Sequence, residues 1–228
     1  MTDSIFSPGL LKFLRELSAN NSREWFEANR SRYENVMLEP ALEFIDAFAP
    51  NLRSMSPHFV ASTRRSGGSL FRIHRDVRFS KDKSPYKTHL GIQFRHENAK
   101  DVHAPGFYLH IEPRASFVGV GIWHPDSPTL TKIRDAIVDE PAAWERAAHG
   151  KSFRDVFSLS GDSLKRPPRG YDPDHPLAED LKRKDFIGVA PMADRAITSS
   201  DLVRDFAGTS RRARGFMQFL CDAVEVPF

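Results

Sequence analysis

The residue types best suited to chemistry lie in one short stretch, RDVRFSKDKSPYK, at positions 75–87. Five of its thirteen residues are basic, and hydroxyl groups stand among them. Guanidinium and ammonium groups bind phosphate and carboxylate, so a basic loop at 78–89 predicts a site for a small anionic ligand. An enzyme acting on a phosphorylated or carboxylated metabolite is one form of this hypothesis. The predicted ligand-binding residues of this region are Arg72, Asp76, Arg78, Ser80, Lys81, Lys83, Tyr86 and Lys87.

Arg75 differs from the other basic residues in its place within the alternating pattern. In LFRIHRDVRFS the odd positions, among them Ile73, Val77 and Phe79, are apolar, so alternation turns Arg75 toward the apolar side. A buried guanidinium needs a partner. Arg75 therefore either bonds a carboxylate or carbonyls as an anchor, or marks a strand bulge. Its role, structural or functional, stays open.

A second region with functional potential is the polar face of two later strands. Alternation in GFYLHIEP and SFVGVGIW places Tyr108, His110 and Glu112 on one face, beside a strand that offers only glycines there. Glycine in a strand often marks the close approach of a ligand or another backbone. The pattern predicts a depression that joins Tyr108, Gly119, Gly121 and Trp123 to the ligand-binding set, and Gly121→Val is expected to fold and block it. The acid–base candidates are Tyr86, His89, His110 and Glu112.

Metal and cofactor motifs receive less support from the sequence. His74 and Asp76 together with His110 imitate a two-histidine, one-carboxylate site, but the surrounding lysines and arginines repel a cation. Gly119 and Gly121 continue a strand and open no helix, so they are not a nucleotide fingerprint. Cys221, the single cysteine, predicts core packing and permits neither a disulfide nor a cysteine-based zinc motif. The sequence therefore predicts no metal site and no cofactor.

The elements that must position these residues form an α+β pattern within one predicted domain, 1–228. Helical periodicity covers 7–54, where Asn21, followed by Glu24 three residues later, predicts the cap of a second helix and Pro40 a stop or kink. Period-two alternation predicts a mostly antiparallel, half-solvated sheet core at about 69–124. C-terminal helices and one further strand are predicted for 127–223.

Composition restricts the class of partner. Hydrophobic residues make up 40% and charged residues 28% of the chain, which is typical of a folded domain, and no apolar run reaches membrane-spanning length. A cytoplasmic location without membrane contact is predicted. The net charge is only +3, yet residues 64–89 hold eight Lys or Arg against two Asp. This local concentration leaves two alternatives to the small anion open, a nucleic acid or an acidic protein. The oligomeric state is not predicted.

The motifs themselves carry a resemblance. RDVRFSKDKSPYKTH at 75–89, NNSREWFEANRSRYENVMLEP at 20–40, PGFYLHIEP at 105–113, GVGIWHP at 119–125 and PPRGYDPDHP at 167–176 resemble an uncharacterised bacterial and fungal family catalogued as domain of unknown function 2461. The resemblance runs over nearly the whole chain. It implies that the basic cluster at 75–87 is a family signature, and it implies no reaction.

Overall fold

The fold is built around a six-stranded antiparallel sheet in a computed structural model that describes residues 4–98 and 104–228. The strands are β1 Phe59–Val60, β2 Leu90–His96, β3 Gly106–Ile111, β4 Phe117–Ile122, β5 Ser158–Ser160 and β6 Phe186–Pro191. Their spatial order is β1-β2-β3-β4-β6-β5, so the first four strands follow the chain and β6 enters between β4 and β5. Together with helices on both sides in sequence, this confirms the α+β class.

The N-terminal helices are α1 Pro8–Ala19, α2 Arg23–Ala28, α3 Arg30–Tyr33 and α4 Glu39–Met55, with a π-helical turn at Glu34–Leu38 between the last two. Ser7 caps α1 and Pro8 occupies its first position, where proline is favoured. The helix runs on through Pro40 by way of the π-helical turn, so Pro40 does not end it. Ser22, and not Asn21, caps α2, its hydroxyl accepting a hydrogen bond from the Trp25 amide at 3.2 Å. The prediction of Asn21 as the cap was wrong.

The C-terminal helices are α5 Ser127–Asp139, α6 Pro141–Trp144, α7 Lys151–Arg154, α8 Ala178–Leu181, α9 Asp194–Ile197, α10 Leu202–Arg212 and α11 Arg214–Ala223, with a second π-helical turn at Glu145–His149. The last two helices, α10 and α11, are separated only by Ala213. Cys221 is fully buried on α11, which confirms its place in the core. None of the helices in the described part of the chain combines the length and apolar character that crossing a bilayer demands.

The two faces of the sheet differ in what covers them. One face carries the buried apolar residues of β2, β3 and β4 and packs against α4, α10 and α11. Phe48 of α4 lies 4.8 Å from the ring of Phe94 and 4.7 Å from that of Phe206, so aromatic side chains join the layers. The faces predicted for these three strands agree with their register, but burial does not alternate, because Gln93, His110 and Gly119 on the opposite face are also buried. That face is therefore not half-solvated as predicted. The opposite face holds the polar positions.

The segment before β2 differs from the prediction. Residues 71–89 form no strand and keep one isolated bridge, which joins His74 to Tyr86. Ile73 is buried as alternation predicts, but Phe79 is 95% exposed at the tip of the loop. Several backbone amides here bond within the loop or to side chains and only Phe71 donates to β2, so no continuous ladder imposes a period of two. Part of this segment folds over the edge of the sheet, where Phe71 contacts the ring of Tyr108.

Candidate functional site

A cavity of about 600 Å³ lies on the open face of the sheet. We call it the sheet cavity. Three glycines on neighbouring strands, Gly106, Gly119 and Gly121, form part of its floor, because Gly106 pairs with Gly121 and Gly119 lies diagonally across β3 and β4. Strand positions without side chains leave room above the backbone. Its apolar walls come from Phe71, Phe117, Trp123, Ile187 and Val189, and its polar ones from Lys87, His89, Gln93, Tyr108, His110 and Ser160.

The polar wall contains a short chain of hydrogen bonds. The Tyr108 hydroxyl lies 3.2 Å from Nδ1 of His110, and Nε2 of His110 lies 3.1 Å from Oε2 of Glu112. His110 is only 9% exposed, and its ring stacks on Phe117 at 4.5 Å. On its other side the ring of His89 lies 4.4 Å away. Both nitrogens of His110 are thus partnered and the plane of its ring is fixed by packing.

The electrostatics of this wall favour neutral side chains. Burial, reinforced by the charge of Glu112, raises the pKa of Tyr108 well above its usual range, so this hydroxyl keeps its proton. Burial also lowers the pKa of His89 to about 4, with His110 and Lys87 adding to the effect. Burial also lowers the pKa of Lys87, and the nearby positive charge of Arg72 lowers it further. At neutral pH, His89 therefore offers a nitrogen lone pair to the cavity.

Gln93 contributes a polar group that has no partner. It lies on β2 opposite Tyr108, it lines the sheet cavity, and its side-chain oxygen is buried without a hydrogen bond to any described residue. An unpaired buried acceptor costs about 1–3 kcal/mol, and buried polar groups in native proteins are nearly always paired. A polar group of a bound ligand would meet this need.

A second depression adjoins the sheet cavity and is basic. We call it the basic groove; it has a volume of about 420 Å³ and is lined by Arg65, Ser66, Gly67, Gly68, Leu70, Phe71, Arg72, Lys87 and Arg95. Phe71 and Lys87 line both depressions and separate them. The Lys87 ammonium donates to the Arg72 carbonyl at 2.8 Å and lies 5.4 Å from the centre of the Phe71 ring. An apolar volume and a cationic surface therefore meet at Lys87.

The tip of the basic loop is held by pairs within the loop. Arg78 donates to both carboxylate oxygens of Asp76, an interaction that lowers the pKa of Asp76 to about 2. The ammonium of Lys83 donates to the Val77 carbonyl at 2.9 Å. Lys81 and Ser80 also belong to this tip, and none of these five predicted residues lines the sheet cavity. Arg75 pairs with Asp82, seven residues away, and Arg78 pairs with Asp76, two residues away. These two ion pairs neutralise much of the positive charge of the loop tip.

Arg75 acts as an anchor of this loop. Its Nη1 pairs with Asp82 and lies 3.4 Å from the Ser84 carbonyl, while its own amide donates to the Pro85 carbonyl at 2.9 Å. Hydrogen bonds from the Ser84 hydroxyl and amide, together with Arg75, hold the pKa of Asp82 far below its usual range. The guanidinium is partly exposed and not directed into the apolar core, because the segment is a loop and not a strand.

We expect Arg75→Ala to loosen the loop without unfolding the protein. A partly exposed ion pair contributes little to global stability, so the melting temperature should fall by less than about 3 °C. The exposed Phe79 should be cut faster by chymotrypsin, which limited proteolysis with mass spectrometry measures. Arg72→Ala, which removes an exposed neighbouring guanidinium, is the control and should leave the cutting rate unchanged. A fall of ten degrees or more would instead place Arg75 in the core.

Tyr86 does not belong to the site. It is 3% exposed and stacks on Phe26 at 4.1 Å, and Asn21 bonds both its amide and its carbonyl at 3.1 and 2.9 Å. Asn21 and Phe26 thus fasten the end of the basic loop to the helical layer. Tyr86 is corrected from an acid–base and ligand-binding candidate to a packing residue, because its hydroxyl side chain lies among rings. Its position just before Lys87 still fixes where Lys87 and His89 enter the cavity.

The cavity includes residues that the sequence reasoning missed. Gln93 and Phe117 occupy cavity-facing positions of the alternation, so the pattern that selected Tyr108 and Gly119 was sufficient to find them. Ser160, Ile187 and Val189 come from β5 and β6, which reach the cavity only because β6 pairs with β4. No local signal in the sequence reports that pairing.

The fold and the site together define an α+β protein with a ligand-sized cavity on the open face of an antiparallel sheet. The family model described as "Conserved hypothetical protein (DUF2461)" matches residues 9–219, and the chain therefore belongs to this family. The match confirms the resemblance drawn from the motif at 75–87. No curated protein and no solved structure matches the chain.

Proposed function

We propose that the protein binds a small molecule that combines a flat apolar body with an anionic group, such as a carboxylate or phosphate. The single observation that carries the proposal is the shared wall of the two depressions, where Phe71 and Lys87 line both. A cavity of this volume with mostly apolar walls and a few polar groups is typical of small-molecule sites. The apolar body would lie over Gly119, and the anion would reach Lys87.

The charges near the cavity support an anion there more than at the loop tip. The arginine of the loop tip, Arg78, is paired with Asp76, whereas the cations of the basic groove have few acidic neighbours. Arg65 pairs with Glu39 at 2.7 Å, and Arg95 donates to the Gly67 carbonyl at 3.0 Å, which leaves further donors of each guanidinium for a ligand. Pairing within the loop gives no support to the nucleic-acid alternative, which needs spread, unpaired charge.

Two matched fluorescent probes test the proposal. Anilinonaphthalene sulfonate carries a flat apolar body and an anion, and N-phenyl-1-naphthylamine is its neutral counterpart. We expect the folded protein to bind the sulfonate more tightly. Lys87→Met should weaken the sulfonate roughly tenfold, because a charge-assisted contact is lost, and should change the neutral probe by less than about twofold. Fluorescence titration measures both dissociation constants.

Two further variants locate the binding. A Cβ at position 119 lies 3.4 Å from Cβ of Tyr108, an ordinary contact, so Gly119→Val should fold and weaken both probes by occupying the cavity. Lys81→Met, a change at the loop tip, is the control and should leave both affinities unchanged. Equal binding of the two probes, or full binding by Gly119→Val, would contradict the proposal. Melting curves confirm that each variant is folded.

A further inference from the structure

Two side chains that line the sheet cavity and one beside it are close enough to share one ion. His89, His110 and Glu112 each offer one ligand atom, and these atoms all lie within 4.8 Å of one another. Within residues 4–98 and 104–228, no other three His, Cys, Asp or Glu side chains form such a group. Two imidazoles and a carboxylate are a donor set that suits divalent first-row metals such as iron, cobalt, nickel and zinc.

The sheet register explains why the three meet. His110 and Glu112 are two residues apart in the β3 segment and so point to the same face. Leu90 pairs with Ile111 and Gly91 with His110, which places His89, the residue before β2, across from Glu112. Directly opposite and diagonal cross-strand neighbours lie within side-chain reach. One ligand therefore lies on β3 and the other two lie directly beside the paired ends of β2 and β3, a rigid support for a metal site.

The surroundings of His110 orient it as a metal ligand. Its ring is held between Phe117 and His89, and Tyr108 partners Nδ1 at 3.2 Å. When Nδ1–H donates to the Tyr108 oxygen, the lone pair of Nε2 faces the carboxylate of Glu112 at 3.1 Å. Two acceptors at that distance need a proton or a cation between them. Neighbouring ligands on one metal ion are about 3 Å apart when each bond is about 2.1 Å.

We propose that His89, His110 and Glu112 bind one divalent transition-metal ion, with Tyr108 as the residue that positions His110. The remaining coordination positions would face the sheet cavity. The sequence argued against a metal at a different set, His74, Asp76 and His110, because many cations are nearby. In the structure Arg75 and Arg78 are paired with aspartates in the loop. The ammonium of Lys87 is engaged by the Arg72 carbonyl. The ion site shares its cavity with the proposed ligand, and an ion there would attract the anionic group.

The test is titration of the full-length chain, free of any polyhistidine tag and stripped by chelator, with Co²⁺. We expect one Co²⁺ per chain, visible absorption bands typical of imidazole ligation, and displacement by Zn²⁺. His89→Gln and Glu112→Gln should weaken Co²⁺ at least tenfold, since each removes one of three ligands. Tyr108→Phe should weaken it roughly tenfold while keeping the same absorption bands, as expected for a partner of a ligating histidine.

The control is a second histidine–glutamate pair outside the cavity. His58 lies 2.6 Å from Glu97, and His58→Gln should bind Co²⁺ as the wild type does. Loss of binding on that change, unchanged binding by His89→Gln and Glu112→Gln, or wild-type binding weaker than roughly 100 µM would overturn the proposal. His110→Gln should also weaken Co²⁺ binding. If this variant fails to fold, the Co²⁺ affinities of His89→Gln and Glu112→Gln, whose positions are partly exposed, still test the proposal.

The metal site and the proposed function fail in different ways. The two naphthalene probes are titrated in the presence of chelator, and Co²⁺ is titrated without any probe. Probe binding that survives while Co²⁺ binding is absent would overturn the metal site alone. Co²⁺ binding through the triad without probe binding supports the metal site and contradicts the organic-ligand proposal.

Discussion

Gly121→Ala is expected to lower the free energy of unfolding by about 3 kcal/mol or more, because residue 121 has a backbone conformation that only glycine adopts readily. Its φ is 112°, outside the range of side chains with a Cβ. A Cβ here would also overlap the Phe186 carbonyl oxygen and lie 3.1 Å from the Ile187 Cα. Both atoms belong to the backbone of β6, which cannot move without breaking its pairing with β4.

The matched control for this prediction is Gly119→Ala, two residues earlier on the same strand. Gly119 has no positive φ, and a Cβ there makes only ordinary contacts with Tyr108 and Phe117. Urea unfolding followed by circular dichroism should show a change below about 1 kcal/mol for this variant. Equal stability of the two variants would show that β4 does not approach β6 as described. The sequence-based expectation that Gly121→Val folds is corrected: a valine side chain at this position would collide with the backbone of β6, so we expect this variant to be strongly destabilised.

Asp185→Ala is expected to lower the free energy of unfolding by about 3 kcal/mol, because one buried carboxylate fixes two loops that follow the cavity-lining residues Trp123 and Ser160. Asp185 is 1% exposed. Its Oδ1 accepts from the His124 amide at 2.7 Å, and its Oδ2 accepts from the Asp162 amide at 2.8 Å. Alanine leaves both donors without their acceptor and an empty volume beside them. Hydrogen bonds to a charged acceptor are among the stronger ones in proteins.

The comparison variants separate hydrogen bonding from charge. Asp185→Asn keeps one acceptor oxygen but turns an NH₂ toward the second amide. Its free energy of unfolding should therefore lie between that of the wild type and that of Asp185→Ala. Asp162→Ala changes an exposed side chain 3.8 Å from Lys184 and should cost less than about 0.5 kcal/mol. Thermal and urea unfolding measure all three. A neutral Asp185→Ala would mean that the two loops are held by other contacts.

Much of the fold was accessible from residue patterns. The alternation in β2, β3 and β4 placed Leu90, Leu109 and Val118 in the core and Tyr108 and Gly119 on the opposite face, as observed. Such patterns succeed because a strand with one buried face cannot shift by one residue without exposing its apolar side. The same reasoning failed at residues 71–80, where Phe79 is exposed and Arg75 bonds along the loop. A period of two is informative only where a partner strand enforces it.

The candidate site could be predicted only in part from the sequence, for a related reason. The glycine strand and the Tyr108, His110 and Glu112 face were correctly expected to lie on one face, since alternation decides that within each strand. Ligand binding at the basic tip stays a prediction; a count of charges includes Asp76 and Asp82 but does not report that they pair with Arg78 and Arg75. The assignment of the whole chain to one domain and its location in the cell stay predictions.

What the sequence determined by itself was the α+β class, the family, and the faces on which polar residues of β2, β3 and β4 lie. These properties depend on neighbours a few residues apart, which share one local geometry. The tertiary structure decided the pairing of β6 with β4, the approach that makes Gly121 obligatory, and the meeting of His89 with His110 and Glu112. Each of these depends on residues that are distant along the chain and become neighbours only when the strands pair.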